Sequence, residues 1–238
     1  MMSIRRNEER GPSHLDWLDS KHTFSFGHYY DPNYMGLSSL RVLNEDRVIG
    51  GAGFGTHPHE NMEIISYVLA GALEHKDSMG NGSVIMPGEV QRLSAGTGIT
   101  HSEYNHSDKD DVHFLQIWFQ PNQINVQPGY EQKGFTDCEK RGQFRLVASQ
   151  TGREGSVSLH QDVDMSVALI DGDEVVRYQP SSDRKLWVHI ARGEVTLNAQ
   201  RLRVGDGVAI EHEPQLIFNQ GQQAEVIIFD MWDDTLSA

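Results

Sequence analysis

Glycine interrupts this 238-residue sequence so often that long helices have little room to form. The chain contains 23 glycines. Between them recur short apolar runs rich in β-branched and aromatic residues, for example residues 64–69, 114–119 and 226–229. Runs of this length that are bounded by turn residues are typical of strands, and stretches with helical periodicity are scarce. We therefore expect an all-β protein made of antiparallel sheets, arranged as a sandwich or a barrel.

Two segments, residues 67–93 and 188–210, share one pattern. In each, a strand ends at a glycine, another strand follows, and a turn with a glycine beside an acidic residue opens a further strand. This faint repeat predicts two related β domains, over residues 1–130 and 131–238. The polar, turn-rich stretch 121–128 is the candidate linker between them.

The charge balance restricts the classes of partner. The chain has 34 Asp and Glu against 20 Lys and Arg, a formal charge of −14. Since Lys and Arg supply most of the affinity for phosphate backbones, we expect no nucleic-acid partner, and anionic membrane surfaces are disfavoured for the same reason. There is no apolar run long enough to span a membrane and no apolar signal-peptide core near the start. The single cysteine, Cys138, cannot form an internal disulfide, which favours a reducing, cytoplasmic location. A monomer is the default expectation.

Histidine is the residue type that points to chemistry. Two of the 12 histidines, His57 and His59, are separated by one residue, and His101 has the same spacing to Glu103. Residues two apart in a strand point to the same face. If two such strands face each other across a barrel interior, three imidazoles and a carboxylate meet. This donor set suits one divalent transition metal (Fe, Ni, Co, Mn, Cu or Zn), and an octahedral ion would keep two positions for water, O2 or substrate.

The spacing leaves the carboxylate undecided. Glu63 lies four residues after His59 and keeps its parity, so an uninterrupted strand would aim it at the same centre as Glu103. The carboxylate that is not a ligand could instead orient an imidazole by a hydrogen bond. The histidines His75 and His113 lie in strand-like segments and are interpreted as structural. Because the second repeat has no His-x-His, we expect its domain to lack a metal.

These motifs resemble a known family. Gly51, the His57-x-His59 pair and Glu63 resemble the first motif of the cupin superfamily, and Pro87-Gly88 through His101 and Asn105 resembles a stretched second motif. The form Gly96-x-Gly98 before His101-Ser102-Glu103 is similar to the pirin family, a group of two-domain cupins. Further matching stretches are residues 22–26, 30–32, 55–59 and 77–81.

The resemblance implies two antiparallel β-barrels of the double-stranded β-helix, or jelly-roll, type. It implies His57, His59, His101 and Glu103 as metal ligands, and it leaves Glu63 beside the ligands. It also implies a quercetin 2,3-dioxygenase-like enzyme that opens the heterocycle of a flavonol with O2 and releases CO, for which Glu103 is the candidate catalytic base. The alternatives are a non-catalytic metal-binding module that binds a protein or senses redox state, and a cupin enzyme with another small-molecule substrate.

Overall fold

The computed structural model describes residues 1–232 of the chain. Over this range the regular secondary structure is almost entirely β-strand, with one four-residue α-helix (α1, Asp137–Lys140) and two short 3-10 turns (Asn7–Glu9 and Arg153–Gly155). No helix among these residues is long and apolar enough to cross a membrane. The strands are β1 (Met2–Arg5), β2 (Gly11–Leu15), β3 (Leu18–His22), β4 (Leu40–Val48), β5 (Gly53–His59), β6 (Glu63–Ala70), β7 (Leu73–Asp77), β8 (Gly82–Ile85), β9 (Glu89–Ser94), β10 (Ile99–Asn105), β11 (Val112–Phe119), β12 (Gly129–Gly134), β13 (Arg145–Ser149), β14 (Val157–Ser158), β15 (Val163–Gly172), β16 (Val176–Tyr178), β17 (Arg184–Leu197), β18 (Gln200–Arg203), β19 (Gly207–Glu211) and β20 (Leu216–Trp232).

The chain divides into two compact units. The first consists of residues 11–134 and 157–161, and the second of residues 1–10, 135–156 and those from 162 onward. The first unit contains two sheets, one with the order β12-β9-β6-β11-β4-β3-β2 and one with the order β5-β10-β7-β8. All pairings between these neighbours are antiparallel.

Apolar side chains from both sheets of the first unit meet in one core. Val68 and Phe114 from the larger sheet cluster with Leu73 and Ile85 from the smaller one, and each is at most 1% exposed. This is the burial that alternating strands of two packed sheets provide, and at ~25 cal/mol per Å² it is the main stabilising term.

The second unit is a single sheet folded around its own core. Its strands follow the order β1-β19-β17-β20-β15-β13, with β16 on β20 and β18 on β17. The pairing of β17 with β20 shifts register at three places, for example between Ile190 and Arg192. Such bulges bend long strands, and the bent sheet encloses a cluster of completely buried Val, Ile, Leu and Phe side chains. The predicted all-β architecture with two cupin-type barrels is confirmed.

The structure draws the boundary between the units differently from the predicted division into residues 1–130 and 131–238. Strand β1 pairs with β19, from Met2 opposite Ile210 to Arg5 opposite Gly207, so the first residues of the chain belong to the second unit. The predicted linker, residues 121–128, is a loop held within the first unit, because its backbone bonds to that unit, as in Thr97 N to Val126 O at 2.9 Å. The composition of a short segment does not indicate pairing with a strand about 200 residues away, as between β1 and β19.

Candidate metal centre

The two histidine-bearing strands of the first unit are hydrogen-bonded neighbours in the smaller sheet. His101 of β10 lies directly opposite His57 of β5, and Ile99 lies opposite His59. The expectation that these strands face each other across a barrel interior is therefore wrong. Side chains of directly paired residues lie close together on one face, so adjacency in one sheet also brings the imidazoles together.

Local sequence explains how both strands reach this position. Gly96 and Gly98, at φ +48° and +127°, form the turn that starts β10. A Cβ on Gly96 would lie 2.0 Å from the carbonyl oxygen of Val126, so a larger residue would displace the loop. Strand β5 is the edge of its sheet, and an edge accepts Pro58 between the two histidines because one side of the strand needs no ladder donor.

Three imidazoles converge in this structure. Ligand nitrogens of His57, His59 and His101 all lie within 4.8 Å of one another. The Nδ1 atom of His57 donates to the carbonyl of Gly55 at 2.7 Å, which leaves its Nε2 as the atom with a free lone pair. The Nε2 atoms of His59 and His101 are buried and have no hydrogen-bond partner among residues 1–232.

The electrostatics keep two of these rings neutral. Burial, together with the charge of His57, lowers the pKa of His59 to about 4. Burial, together with the charges of neighbouring histidines, lowers the pKa of His101 to about 3. Since a metal ligand must present an unprotonated nitrogen, these imidazoles are in the ligating state at neutral pH.

Glu103 lies beside His101 but is not grouped with all three imidazoles. Its carboxylate is within 4.8 Å of ligand nitrogens of His101 and His75. It is 3% exposed, and it accepts hydrogen bonds from Ser66 Oγ at 2.9 Å and from Gln116 Nε2. Burial raises the pKa of Glu103 to about 7, although these two bonds favour the charged form. A carboxyl with this pKa can both accept and release a proton near neutrality.

His75 and Asp77 on β7 extend this cluster. They pair directly with Glu103 and His101 of β10 and are completely buried. His75 Nε2 donates to Asp77 Oδ2 at 3.1 Å, and its Nδ1 lies 3.4 Å from Nδ1 of His101. Burial lowers the pKa of His75 more than Asp77 raises it, so the ring is neutral at pH 7. From the sequence, His75 is interpreted as structural. The spacing of His75 and Asp77, two residues apart in one strand, is the signal that could have indicated their place beside His101.

The structure places Glu63 outside the imidazole cluster. Its carboxylate accepts bonds from Ser94 Oγ at 2.9 Å and from the backbone nitrogen of His160 at 3.1 Å, and it also pairs with the His160 ring. None of its hydrogen bonds within residues 1–232 goes to His57, His59 or His101. The expectation that Glu63 points the same way as His59 requires one uninterrupted strand. The backbone turns at Asn61, at φ +47°, so that β5 ends at His59 and β6 begins at Glu63.

A cavity of about 230 Å³ opens onto the candidate ligands. His57, His59 and Glu103 lie in its wall. The rings of Phe26, Phe54 and Trp118 supply aromatic surface, and the Trp118 ring lies 4.9 Å from that of His59. A cavity with apolar surface and several converging polar groups is the usual form of a small-molecule site.

The donor set fits a divalent transition metal. Two buried imidazole nitrogens without partners are costly unless something binds them, and a third imidazole has its remaining nitrogen free. Imidazole nitrogens with a nearby carboxylate suit Fe, Co, Ni, Cu, Mn and Zn alike. The arrangement can hold such an ion beside the cavity whose wall includes His57, His59 and Glu103.

Comparison with known proteins is consistent with this geometry. The pirin family model matches residues 4–119, and the model of the quercetinase C-terminal cupin domain matches residues 146–231. A quercetin 2,3-dioxygenase from Escherichia coli O157:H7 is 44% identical over 97% of this chain and 99% of its own length. A pirin-like protein from Caulobacter vibrioides is 35% identical over 97% of this chain and 99% of its own length.

Solved structures give the same result. A bacterial pirin from Escherichia coli in complex with nickel(II) superposes with a TM-score of 0.92, at 44% identity, covering 98% of this chain and 99% of that one. A quercetin 2,3-dioxygenase from Acinetobacter baumannii shares the fold, with a TM-score of 0.76 at 16% identity, covering 97% of this chain and 79% of that one. The expected likeness to proteins named quercetin 2,3-dioxygenase is confirmed, and by its sequence and its fold the chain belongs to the pirin family.

Proposed function

We propose that the protein is a metal-dependent dioxygenase that opens the heterocycle of a flavonol such as quercetin with O2 and releases CO. The observation that carries the proposal is the cluster of three imidazoles, two of them with buried Nε2 atoms that have no partner among residues 1–232, beside a cavity with aromatic side chains in its wall. Relatives at 44% identity that are named quercetin 2,3-dioxygenase support the reaction class.

In this proposal His57, His59, His101 and Glu103 hold one divalent transition metal. The bound ion would supply Lewis acidity, which lowers the pKa of a hydroxyl group placed against it. Glu103 is the group placed to accept the proton of that hydroxyl, because its carboxylate lies beside His101 and in the wall of the cavity. Ser66 and Gln116 hold the carboxylate in place while its charge changes.

The aromatic wall binds the planar substrate. Phe26 and Trp118 are in edge-to-face contact with ring centroids 5.3 Å apart, and Phe54 is braced in the same way by Trp17 at 5.1 Å. Rings held in this way offer fixed apolar faces to a flat ligand and exclude water from it. The indole nitrogen of Trp118 also donates to Gln116 Oε1 at 3.3 Å. This bond turns the amide nitrogen of Gln116 toward Glu103.

The test is turnover of quercetin by protein reconstituted with a defined metal, followed by loss of the flavonol's visible absorbance and by oxygen uptake. We expect His57→Ala and His101→Ala to abolish turnover, and Glu103→Gln to lower it by about 10²–10⁴-fold. His14→Ala is the matched control, since the His14 side chain is 68% exposed and pairs with Asp19 at the surface. Equal turnover by the wild type and both His→Ala variants would refute site-based catalysis.

A second measurement tests the choice of carboxylate. Glu103→Gln should reduce metal retention after gel filtration more than Glu63→Gln does, because Glu63 is engaged by Ser94 and His160. The opposite ranking, measured by elemental analysis, would overturn the proposed ligand set.

A further inference from the structure

We propose that Asp77 and His75 are positioning residues that fix the tautomer of His101, so that its Nε2 presents a lone pair to the metal. This inference rests on the proposed ligand role of His101. It assigns a role to two buried polar residues that the proposed reaction does not otherwise use.

The chain of hydrogen bonds begins at Asp77. Its Oδ1 accepts the backbone N–H groups of Met79 and Asn81, at 2.9 and 3.1 Å, and its Oδ2 accepts the side-chain amide of Asn81 at 2.8 Å. Three donors on one carboxylate favour its charged form and fix its position at the end of β7. A charged carboxylate can only accept hydrogen bonds.

The state of Asp77 dictates the state of His75. Because Asp77 Oδ2 accepts, the Nε2 of His75, 3.1 Å away, must carry the proton. In a neutral imidazole the other nitrogen is then an acceptor. The side-chain amide nitrogen of Gln91 lies 3.1 Å from Nδ1 of His75 and is compatible with that atom as an acceptor. The phenol ring of Tyr130, with its centroid 5.1 Å away, covers the face of the imidazole.

The state of His75 in turn dictates the state of His101. The two Nδ1 atoms are 3.4 Å apart, and since Nδ1 of His75 is an acceptor, a hydrogen bond between the two rings has Nδ1 of His101 as its donor. The Nε2 of His101 is then unprotonated, and it is this atom that is buried without a partner among residues 1–232. Cross-strand pairing of His101 with Asp77 and of Glu103 with His75 fixes the arrangement.

The hydrogen bonds of His75 distinguish between two candidate metal-binding groups. His75, His101 and Glu103 also have ligand atoms within 4.8 Å of one another. With one nitrogen donating to Asp77 and the other accepting from His101, however, His75 has no lone pair left for an ion. The geometry therefore makes His75 a hydrogen-bond partner of a ligand and not a ligand itself. Partners of this kind typically change metal affinity about 10–100-fold when they are removed.

The first arm of the test reads the tautomer directly in the full-length, metal-free protein. Long-range ¹H–¹⁵N correlation spectra distinguish Nδ1–H from Nε2–H imidazole, and His101→Ala assigns the resonance. We expect Nδ1–H in the wild type and a shift of the population toward Nε2–H in Asp77→Asn, whose amide can donate to His75 and reverse the chain. An Nε2–H tautomer of His101 in the wild type would overturn the proposal.

The second arm measures Ni²⁺ affinity by competition with a chelator. Asp77→Asn should weaken Ni²⁺ binding about 10–100-fold. The matched control is Lys76→Ala, because Lys76 lies between His75 and Asp77 on β7 with a side chain that is 69% exposed, and it should stay within about twofold of the wild type. An equal loss in Lys76→Ala would mean that only the integrity of β7 matters, and unchanged affinity in folded Asp77→Asn would equally refute the positioning role.

A second pair of variants covers the case in which Asp77→Asn does not fold. His75→Gln keeps an acceptor for His101, whereas His75→Leu removes it, so His75→Gln should bind Ni²⁺ at least about tenfold more tightly than His75→Leu. Equal affinities would contradict the proposal. If the wild type shows the expected tautomer but does not bind Ni²⁺, the proposed ligand set fails while the hydrogen-bond chain stands.

Discussion

The buried carboxyl of Glu103 leads to a sharp prediction about the metal-free protein. Burial raises its pKa from the usual 4.5 to about 7, against the effect of hydrogen bonds from Ser66 and Gln116. Glu103→Gln places a neutral group of nearly the same shape at this position. The variant therefore resembles the protonated form of the wild type at every pH.

Proton binding by Glu103 makes the free energy of unfolding depend on pH. Between pH 4.5 and about 7 the folded protein holds the Glu103 proton more tightly than the unfolded chain does. The contribution of Glu103 to the free energy of unfolding is therefore fully present below pH 4.5 and falls as the pH rises from 4.5 to about 7. Above pH 7 it is lost. The pKa difference corresponds to about 3 kcal/mol.

The assay is urea unfolding of metal-free protein, followed by tryptophan fluorescence at pH 5 and pH 8. The lowered pKa values of His59 and His101 change stability in the opposite direction, since neutral buried imidazoles gain stability as the pH rises toward 6.5. Those contributions are common to wild type and variant and cancel in the difference. Relative to Glu103→Gln, the wild type should lose about 2.5 kcal/mol between the two pH values, because pH 5 already lies above the unfolded pKa of 4.5.

The exposed residue Glu60 provides the control. Glu60→Gln should follow the wild type at both pH values, since its side chain is at the surface. If the stability difference between wild type and Glu103→Gln is the same at pH 5 and pH 8, within about 0.5 kcal/mol, the burial argument for Glu103 is refuted.

Three further results are expected. Ni²⁺ affinity should fall as the pH drops below about 7, because the Glu103 carboxyl must lose its proton to bind; isothermal titration at pH 6 and pH 8 that gave equal affinities would contradict this. Chelation should lower the melting temperature of metal-loaded protein, since an ion bound only to the folded state adds stability; an unchanged calorimetric midpoint after verified metal removal would count against a formed site. Gly207→Ala should destabilise the second unit by about 1–3 kcal/mol, because the new methyl carbon would lie 2.1 Å from the buried ring of Trp187; equal denaturation midpoints for variant and wild type would show that the ring can move aside.

The positions of many strands could be predicted from short apolar runs in the sequence. The strands around Ile64, Phe114 and Val226 follow from their apolar, β-branched composition, and all three residues are buried in strands. The two repeated segments also behave alike, since Tyr67 pairs with Val90 in one unit and Val188 pairs with Val208 in the other. The cytoplasmic location and the monomeric state stay predictions.

The sequence by itself determined the faces of the strands and the donor types. Alternation in an extended chain places His57 with His59, and His101 with Glu103, on common faces whatever the strands pair with. The family resemblance added the choice of Glu103 over Glu63, which the spacing alone did not provide.

Only the tertiary structure decided which strands are neighbours. The period of two gives a side chain its face but not its partner, because pairing is set by contacts between residues far apart in sequence. The positive φ of Asn61 turned Glu63 away to His160. The register of β7 against β10 brought His75 and Asp77 to His101. In both cases the neighbouring residues in the sequence do not indicate which distant residue will be the partner. The partners of these buried polar groups could therefore be assigned only from the folded chain.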